Sequence, residues 1–216
     1  MPHLNVNFYQ NIKMGTFMDI AQQSGFDICP DMDLIYSQIQ NTKSLAELGG
    51  GYGRCVDYLL SNHYKGHVYC VERAGSMVNY MRQHFESHAS QIEIFHQDIC
   101  DLKLPERVDA VLWLWSGILE QTKAEQRLCI ARIKSCLNPK GILFIDTPHS
   151  ELKVFGTKLD DHIIRVDTDW GSLEAYLPSS DEIKNIAEEC GLLFEAIPYQ
   201  TPTGLKRMMY QLQKMA

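Results

Sequence analysis

The chain has 216 residues, of which 45% are hydrophobic, and a formal net charge of −7. This length suits one sizeable core and is too short for two ordinary domains, and the apolar content is typical of a globular chain. The acidic balance argues against a nucleic-acid backbone as partner, because such binding needs a basic face. No apolar run approaches the roughly 20 residues of a membrane span, and the first residues lack the basic start and apolar stretch of a signal peptide. The seven cysteines are scattered without a Cys-x-x-Cys pair, which predicts reduced thiols in a cytoplasmic protein.

Residues 1–43 precede the first predicted strand, and we expect them to form a helical cap. A helical apolar pattern follows a candidate N-cap at Asp31 or Asp33. Its residues are Leu34, Ile35 and Ile39. A second apolar face contains Phe8, Tyr9, Phe17 and Met18. These helices either pack on the edge of a sheet or form a lid over an active site.

Residues 44–146 alternate short apolar strands with helix-length segments, the signature of a parallel α/β sheet. The predicted strands are 44–48, 67–71, 92–96, 108–114 and 142–146. The predicted helices are 53–61, 76–88 and 123–137, the last stopped by Asn138-Pro139-Lys140-Gly141.

The remaining residues complete a single domain. Residues 147–178 break the alternation as an insertion, a possible substrate lid, with possible strands at 162–166 and 173–176. Residues 179–216 hold a helix, 179–190, and a closing strand pair, 192–199 and 207–212.

The most informative motif lies where the first strand meets the first core helix. Glu47 is followed by Gly49, Gly51 and Gly53, and such glycines bring a backbone close to a bound ligand. The strict dinucleotide fingerprint Gly-x-Gly-x-x-Gly is absent, because its third glycine would fall on Arg54 or Val56. The stretch resembles motif I of the class I S-adenosylmethionine-dependent methyltransferases. This resemblance implies a doubly wound, mostly parallel seven-stranded sheet with helices on both faces, and S-adenosyl-L-methionine as cofactor.

Further positions fit the same resemblance. Glu72 and Arg73 end the second strand, and an acid at this spacing can accept hydrogen bonds from two ribose hydroxyls. In the family, an acid after strand three accepts from the adenine amino group, which here implies Asp98, with the Ile99 amide beside it and Asp101 as a competitor. Glu47 would help to hold the cationic end of the cofactor. Trp115 follows strand four and either stacks on a ligand or belongs to the core.

The catalytic residue is the least predictable feature, because the sulfonium of the cofactor is already activated. His149 and Asp146, near the end of strand five, are candidate general bases. His84 and His88 share a helix face without a His-Glu-x-x-His motif, so we expect no metal site.

The resulting interpretation is methyl transfer to a small-molecule acceptor by in-line displacement, without a nucleic-acid or membrane partner. The alternatives are a non-catalytic S-adenosylmethionine-binding or scaffold protein of the same fold, and an NAD-dependent oxidoreductase.

The insertion suggests a hypothesis about the acceptor. Residues 151–182 contain eight acids and three bases, which form either a solvated face or the wall of a pocket for a cationic acceptor. The acids are Glu151, Asp160, Asp161, Asp167, Asp169, Glu174, Asp181 and Glu182. Trp170 and Tyr176 would add an apolar or cation–π wall, and the face with Phe8, Tyr9 and Phe17 would complete the pocket.

Overall fold

The structure, a computed structural model, describes residues 2–149 and 156–216. Its strands are β1 (Ser44–Leu48), β2 (His67–Glu72), β3 (Ile92–His96), β4 (Val108–Trp113), β5 (Leu137–Pro148), β6 (Thr157–Lys158), β7 (Ile163–Thr168), β8 (Gly171–Tyr176), β9 (Leu192–Gln200) and β10 (Lys206–Lys214). Its α-helices are α1 (Pro2–Asn11), α2 (Met14–Ser24), α3 (Pro30–Ile39), α4 (Arg54–Ser61), α5 (Gly75–His84), α6 (Lys123–Cys136) and α7 (Ser180–Glu189).

The central sheet has seven strands in the order β3-β2-β1-β4-β5-β10-β9. The pairs from β3 to β5 are parallel, whereas β10 runs antiparallel to both β5 and β9. The chain moves outward from β1 to β3 and then returns to the other side of β1 at β4. The carboxyl ends of β1 and β4 therefore flank the switch point where open α/β sheets bind ligands. The expected seven-stranded, doubly wound sheet is confirmed.

Both faces of the sheet are covered by helices. Alternate strand residues point to opposite faces, so Leu45 packs with α3, α4 and α5 while Ala46 packs with α6 and α7. The helices present short apolar stripes, such as Val56 and Leu59 of α4. Each buried side chain of this size contributes roughly 1.5–3 kcal/mol, and the strands at the centre are fixed from both sides.

Three sequence expectations differ locally from the structure. The predicted N-caps of α3 are wrong, because Cys29 is the cap residue with a φ of 56° and the buried Asp31 binds Arg54 instead. The helix after β2 ends at His84 and continues as a 3-10 turn, Glu86–His88. β5 begins at Leu137, because Leu137 pairs with Val108 and residues 138–141 bulge before pairing resumes at Ile142.

The insertion forms a separate three-stranded antiparallel sheet, β6-β7-β8, here called the insert sheet. Helix α1 docks on it through Asn5, whose side chain is fully buried. The Asn5 amide donates to the Glu174 carbonyl at 2.9 Å and its oxygen accepts from the Glu174 amide at 3.0 Å. Together, α1, α2 and the insert sheet form a roof over the carboxyl ends of the central strands. That these helices act as a lid stays a prediction.

Within the two described ranges, no helix is long and apolar enough to cross a membrane. The same ranges contain no group of three or more histidine, cysteine or acidic side chains arranged to hold a metal ion.

Candidate functional site

A cavity of about 400 Å³ lies between the central sheet and the roof. Its floor comes from the segments that follow β1, β2, β3 and β4. The floor residues are Gly49, Gly51, Val71, Glu72, Arg73, Ile99, Leu114, Trp115, Ser116, Gly117, Glu120 and Gln121. The roof residues are Phe8, Tyr9, Ile12, Phe17, Ile20, Val166, Thr168, Trp170 and Leu173. Ligand pockets typically enclose about 300–1,000 Å³, so this cavity is large enough for a small molecule.

The glycine loop forms one wall of the cavity, and its backbone requires glycine. Gly49, Gly51 and Gly53 all have positive φ, at 71°, 56° and 86°. A Cβ on Gly51 would lie 3.0 Å from Cε1 of Phe17 in the roof. A Cβ on Gly53 would lie 2.4 Å from Cε2 of Phe85, so Gly53 permits close packing of the helices behind the loop. Gly51 faces the cavity, whereas Gly53 supports the loop from behind.

Glu72 fixes the loop from the neighbouring strand. Its Oε2 accepts from the Gly51 amide at 3.0 Å and its Oε1 accepts from the Ala74 amide at 2.7 Å. Glu72 ends β2, yet only 8% of the residue is exposed. Because a carboxylate oxygen has two lone-pair sites, each oxygen can still accept from a ligand hydroxyl in the cavity.

Glu47 lies at the end of β1, beneath the glycine loop. Its Oε2 accepts from the Cys70 thiol at 3.2 Å, and burial raises the pKa of Glu47 to about 7. A small cavity of about 30 Å³ joins Glu47 to the glycine loop and Trp115. A positively charged ligand group here would favour the ionised carboxylate.

Arg73 crosses the cavity floor to reach two acids. Its Nη2 donates to Oε2 of Glu120 at 2.6 Å, and its Nη1 lies 3.8 Å from Oδ2 of Asp98. Asp98 also accepts from the Cys100 amide, so it caps the 3-10 turn Ile99–Asp101. The competing Asp101 is 79% exposed and pairs with Arg132 outside the cavity. Of the two acids, Asp98 is therefore the one beside the site, and Ile99 lines the cavity.

The two tryptophans at the end of β4 have different environments. Trp113 is fully buried in the core, whereas Trp115 lines the cavity and stacks on Phe17 with ring centroids 5.0 Å apart. Trp115 and Ser116 both have positive φ, at 47° and 67°. Such strained positions persist where surrounding contacts enforce them.

Asp146 makes some of the contacts that hold Trp115 and Ser116 in this conformation. Its carbonyl accepts from the Ser116 amide at 3.1 Å, and its fully buried carboxylate is held by Arg207 and by the Tyr199 hydroxyl. Arg207 also donates to Oγ of Ser116 at 2.7 Å. Asp146 does not line the cavity. Its carboxylate is already bound by Arg207 and Tyr199, and these contacts position the segment after β4.

His149, the other candidate base, lies just beyond β5. Its amide donates to the Lys206 carbonyl at 3.1 Å. It is not among the residues that line the cavity.

The sequence analysis missed Glu120 and Gln121, which follow β4 and line the cavity. The available signal was their place in the segment after a strand that ends at the switch point. It also missed the buried ion pair of Arg54 with Asp31, whose guanidinium nitrogens donate to the carboxylate at 2.7 and 2.6 Å. This pair joins the start of α4 to α3, and Arg54 lies over the rings of Phe26 and Trp115.

The hypothesis that acids of the insertion line the pocket is wrong for the described residues. The insert sheet contributes only Val166, Thr168, Trp170 and Leu173 to the cavity. Four of the acids instead pair with basic side chains. Asp167 and Glu174 pair with Arg165, Asp161 pairs with Lys158, and Glu182 of α7 pairs with Lys123 of α6. Tyr176 donates to Glu182 and lies outside the cavity, and Glu151 lies outside the described residues. Of the aromatic residues in the hypothesis, Phe8, Tyr9, Phe17 and Trp170 line the cavity and Tyr176 does not.

Comparison with known proteins gives a family match for the core. Residues 45–141 match the family model described as "Methyltransferase domain". No curated protein matches the chain by sequence.

Several solved methyltransferase structures share the fold. The CcbJ methyltransferase from Streptomyces caelestis has a TM-score of 0.72 at 15% identity, covering 98% of this chain and 100% of its own. CalS10, an amino pentose methyltransferase from Micromonospora echinaspora, has a TM-score of 0.66 at 17% identity, with 93% and 98% covered. The S-adenosylmethionine-dependent methyltransferase from Clostridium acetobutylicum has a TM-score of 0.70 at 12% identity, with 94% and 99% covered. At these identities the likeness establishes the fold.

Proposed function

We infer that this chain is a class I S-adenosylmethionine-dependent methyltransferase and that it methylates a small-molecule acceptor bound beneath the roof. One observation carries this inference. A cavity of about 400 Å³ meets the glycine loop and the buried carboxylate of Glu72 at the switch point of the sheet. These are the features that the family uses to hold its cofactor.

The residues of the cavity floor fit this cofactor. The glycine loop offers a wall without side chains, and Glu72 retains lone pairs for the ribose hydroxyls. Ile99 lines the cavity, and Asp98 lies 3.8 Å from Arg73 on its floor, which supports these two residues as the site of the adenine. Glu47 would face the cationic end, where ionisation of its raised-pKa carboxyl offsets the positive charge. When bound, the cofactor supplies a methyl group on a positively charged sulfur, which is activated for transfer.

The chain's own contribution is positioning and exclusion of water. The roof is mostly aromatic and aliphatic, and the segment after β4 is fixed by Arg207 and Asp146. Holding two reactants in line in a dry site supplies a large part of the rate acceleration.

The alternatives fit the site less well. The third fingerprint glycine of a dinucleotide site falls on Arg54, a buried, ion-paired first residue of α4, which removes the close approach that the fingerprint provides. A scaffold that binds no ligand would not require a cavity of about 400 Å³ at the switch point of the sheet.

Calorimetry with S-adenosylmethionine, S-adenosylhomocysteine and NAD tests the proposal. We expect the first two to bind and to raise the melting temperature, since ligand at about 100 times Kd adds roughly 2.7 kcal/mol of stability. Glu72→Gln removes one charged acceptor and should weaken binding about tenfold or more. Binding of NAD alone, or of none of the three at millimolar concentration, would refute the assignment.

A control separates binding from stability in the Glu72 variant. The carboxylate accepts from two backbone amides. The free energy of unfolding of the variant should therefore be lower than that of the wild type by about 1–3 kcal/mol. The affinity is therefore measured at a temperature where urea denaturation shows the variant fully folded.

A further inference from the structure

Glu120 is a carboxylate of the cavity that the proposed cofactor site does not use. It ends the 3-10 turn Gly117–Glu120, which follows β4. The side chain is 20% exposed and accepts from Nη2 of Arg73 at 2.6 Å. Tyr9 of α1 lies on its other side. Glu120 is therefore held between the cavity floor and the roof.

Glu120 differs from Glu72 in the kind of group that its carboxylate binds. Glu72 has a backbone amide on each oxygen, whereas Glu120 is approached by side chains, Arg73 and Tyr9. A carboxylate has about four lone-pair sites. Glu120 can therefore accept from an acceptor molecule without losing contacts that maintain the backbone.

The charge of the cavity also discriminates between ligand classes. Its charged lining residues, within the described ranges, are Glu72, Arg73 and Glu120, so the lining has one negative charge in excess when both acids are ionised. The roof adds aromatic faces from Phe8, Tyr9 and Trp170. A cation gains from both features, whereas a carboxylate or phosphate gains from neither.

We propose that Glu120 is the specificity-determining residue for the acceptor, and that the acceptor is an amine whose N–H groups bind the Glu120 carboxylate. An ammonium offers up to three donors, while a hydroxyl offers one. Because an ammonium nitrogen has no lone pair, one of its protons must pass to solvent before the methyl group moves from sulfur to nitrogen. The proposal rests on the function proposed above, because it assigns the acceptor half of the same cavity.

The electrostatics of Glu120 give this recognition a pH dependence. Burial raises the pKa of Glu120 to about 7, with Arg73 opposing the rise and the charge of Glu72 adding to it. Tyr9, the titratable group on the roof side, stays neutral because burial raises its pKa well above 10. Asp98 reaches Glu120 only through the shared Arg73. Glu120 therefore ionises near neutral pH, and an ammonium ligand should bind more tightly above pH 7 than below it.

The test uses protein saturated with S-adenosylhomocysteine and two matched pairs of probes. Benzylamine and 2-phenylethylamine are compared with benzyl alcohol and 2-phenylethanol by calorimetry at pH 8. We expect each amine to bind the wild type about tenfold more tightly than its alcohol, as a charged hydrogen bond provides. Glu120→Gln should remove this preference and leave the affinity for the alcohols within about twofold, while Glu120→Asp should retain part of it.

Controls keep the outcomes distinct. Glu188→Gln, on the exposed surface of α7, is the matched control, and its affinities for S-adenosylhomocysteine and for the four probes should stay close to those of the wild type. The affinity of Glu120→Gln for S-adenosylhomocysteine is measured separately, so that each probe is titrated into saturated protein. Amine affinity in the wild type should increase between pH 6 and pH 8, and in Glu120→Gln it should not. No amine preference in a wild type that binds S-adenosylhomocysteine, or an unchanged preference in Glu120→Gln, overturns this proposal alone. Failure of the wild type to bind S-adenosylhomocysteine overturns the proposed function.

Discussion

Gly53 shows how one residue of the loop controls packing behind the site. Its φ of 86° is unfavourable for any side chain, and a Cβ would lie 2.4 Å from the Phe85 ring. Gly49 has a similar φ of 71° but no atom within 4 Å of its would-be Cβ. The two glycines therefore form a matched pair that separates backbone strain from steric overlap.

We expect Gly53→Ala to destabilise the protein by about 2–4 kcal/mol and Gly49→Ala by about 1–2 kcal/mol. Both variants incur the left-handed backbone cost of roughly 1–2 kcal/mol, and only the first must also displace a buried ring. Urea denaturation measures the difference. Equal losses of stability in the two variants would mean that the Phe85 ring moves aside at no cost in free energy.

The protonated form of Glu47 favours the folded state, whereas a positively charged ligand would favour the ionised form. Burial raises its pKa from 4.5 to about 7, so the folded state binds a proton more tightly than the unfolded state. Stability from this group is therefore greatest below about pH 4.5, falls as the pH rises to about 7, and is constant above that. The loss at pH 8 is on the order of 3 kcal/mol.

Glu47→Gln should consequently be more stable than the wild type at pH 8 and should lose less stability between pH 5.5 and pH 8. The amide oxygen can still accept from the Cys70 thiol. Urea denaturation at the two pH values gives the comparison, with Glu106→Gln as a control at an exposed acid. A variant with the same pH slope as the wild type would show that Glu47 does not titrate in this range.

At the scale of elements, the buried side chain of Asn5 makes the shortest hydrogen bonds between α1 and the insert sheet. Asn5 pairs with both backbone groups of Glu174 and also donates to the Glu120 carbonyl at 3.3 Å. Removing a partner from a buried backbone group costs about 1–3 kcal/mol. The docking of α1, and with it the position of Phe8 and Tyr9, therefore depends on Asn5.

We expect Asn5→Ala to accelerate amide hydrogen exchange in α1 about 10- to 100-fold while exchange in β1 and β4 stays unchanged. Asn11→Ala is the matched control, since Asn11 lies on the same helix and makes only an exposed 3.4 Å contact with the Trp170 carbonyl. Exchange measured by mass spectrometry distinguishes them. Similar rates in the two variants would show that apolar contacts alone hold α1.

At the scale of the whole molecule, local patterns predicted the central sheet and part of the cavity floor. Apolar runs bounded by turns locate β1 to β4, and the carboxyl ends of parallel strands meet at one edge. These two facts suffice to bring the glycine loop, Glu72 and the segment around Asp98 together. The assignment of cofactor contacts to these residues stays a prediction.

The roof and the acceptor side depend on information that local patterns do not contain. Arg54 and Asp31 are 23 residues apart, and Asn5 and Glu174 are 169 residues apart, so neither pair follows from periodicity. The charge of residues 151–182 suggested an acidic pocket wall. That suggestion was wrong for the described residues, because composition does not tell which way a strand faces. In the insert sheet the apolar side faces the cavity and the acids find basic partners on the other side.

The separation between Asn5 and Glu174 also has a consequence for folding. Contacts between residues far apart in the chain close large loops and form late, whereas β1 to β5 are linked by short connections. A refolding chain should therefore recover most of its circular dichroism before the fluorescence of Trp115 and Trp170 reports a closed cavity. Competence to bind ligand would then be the last property that the refolding chain regains.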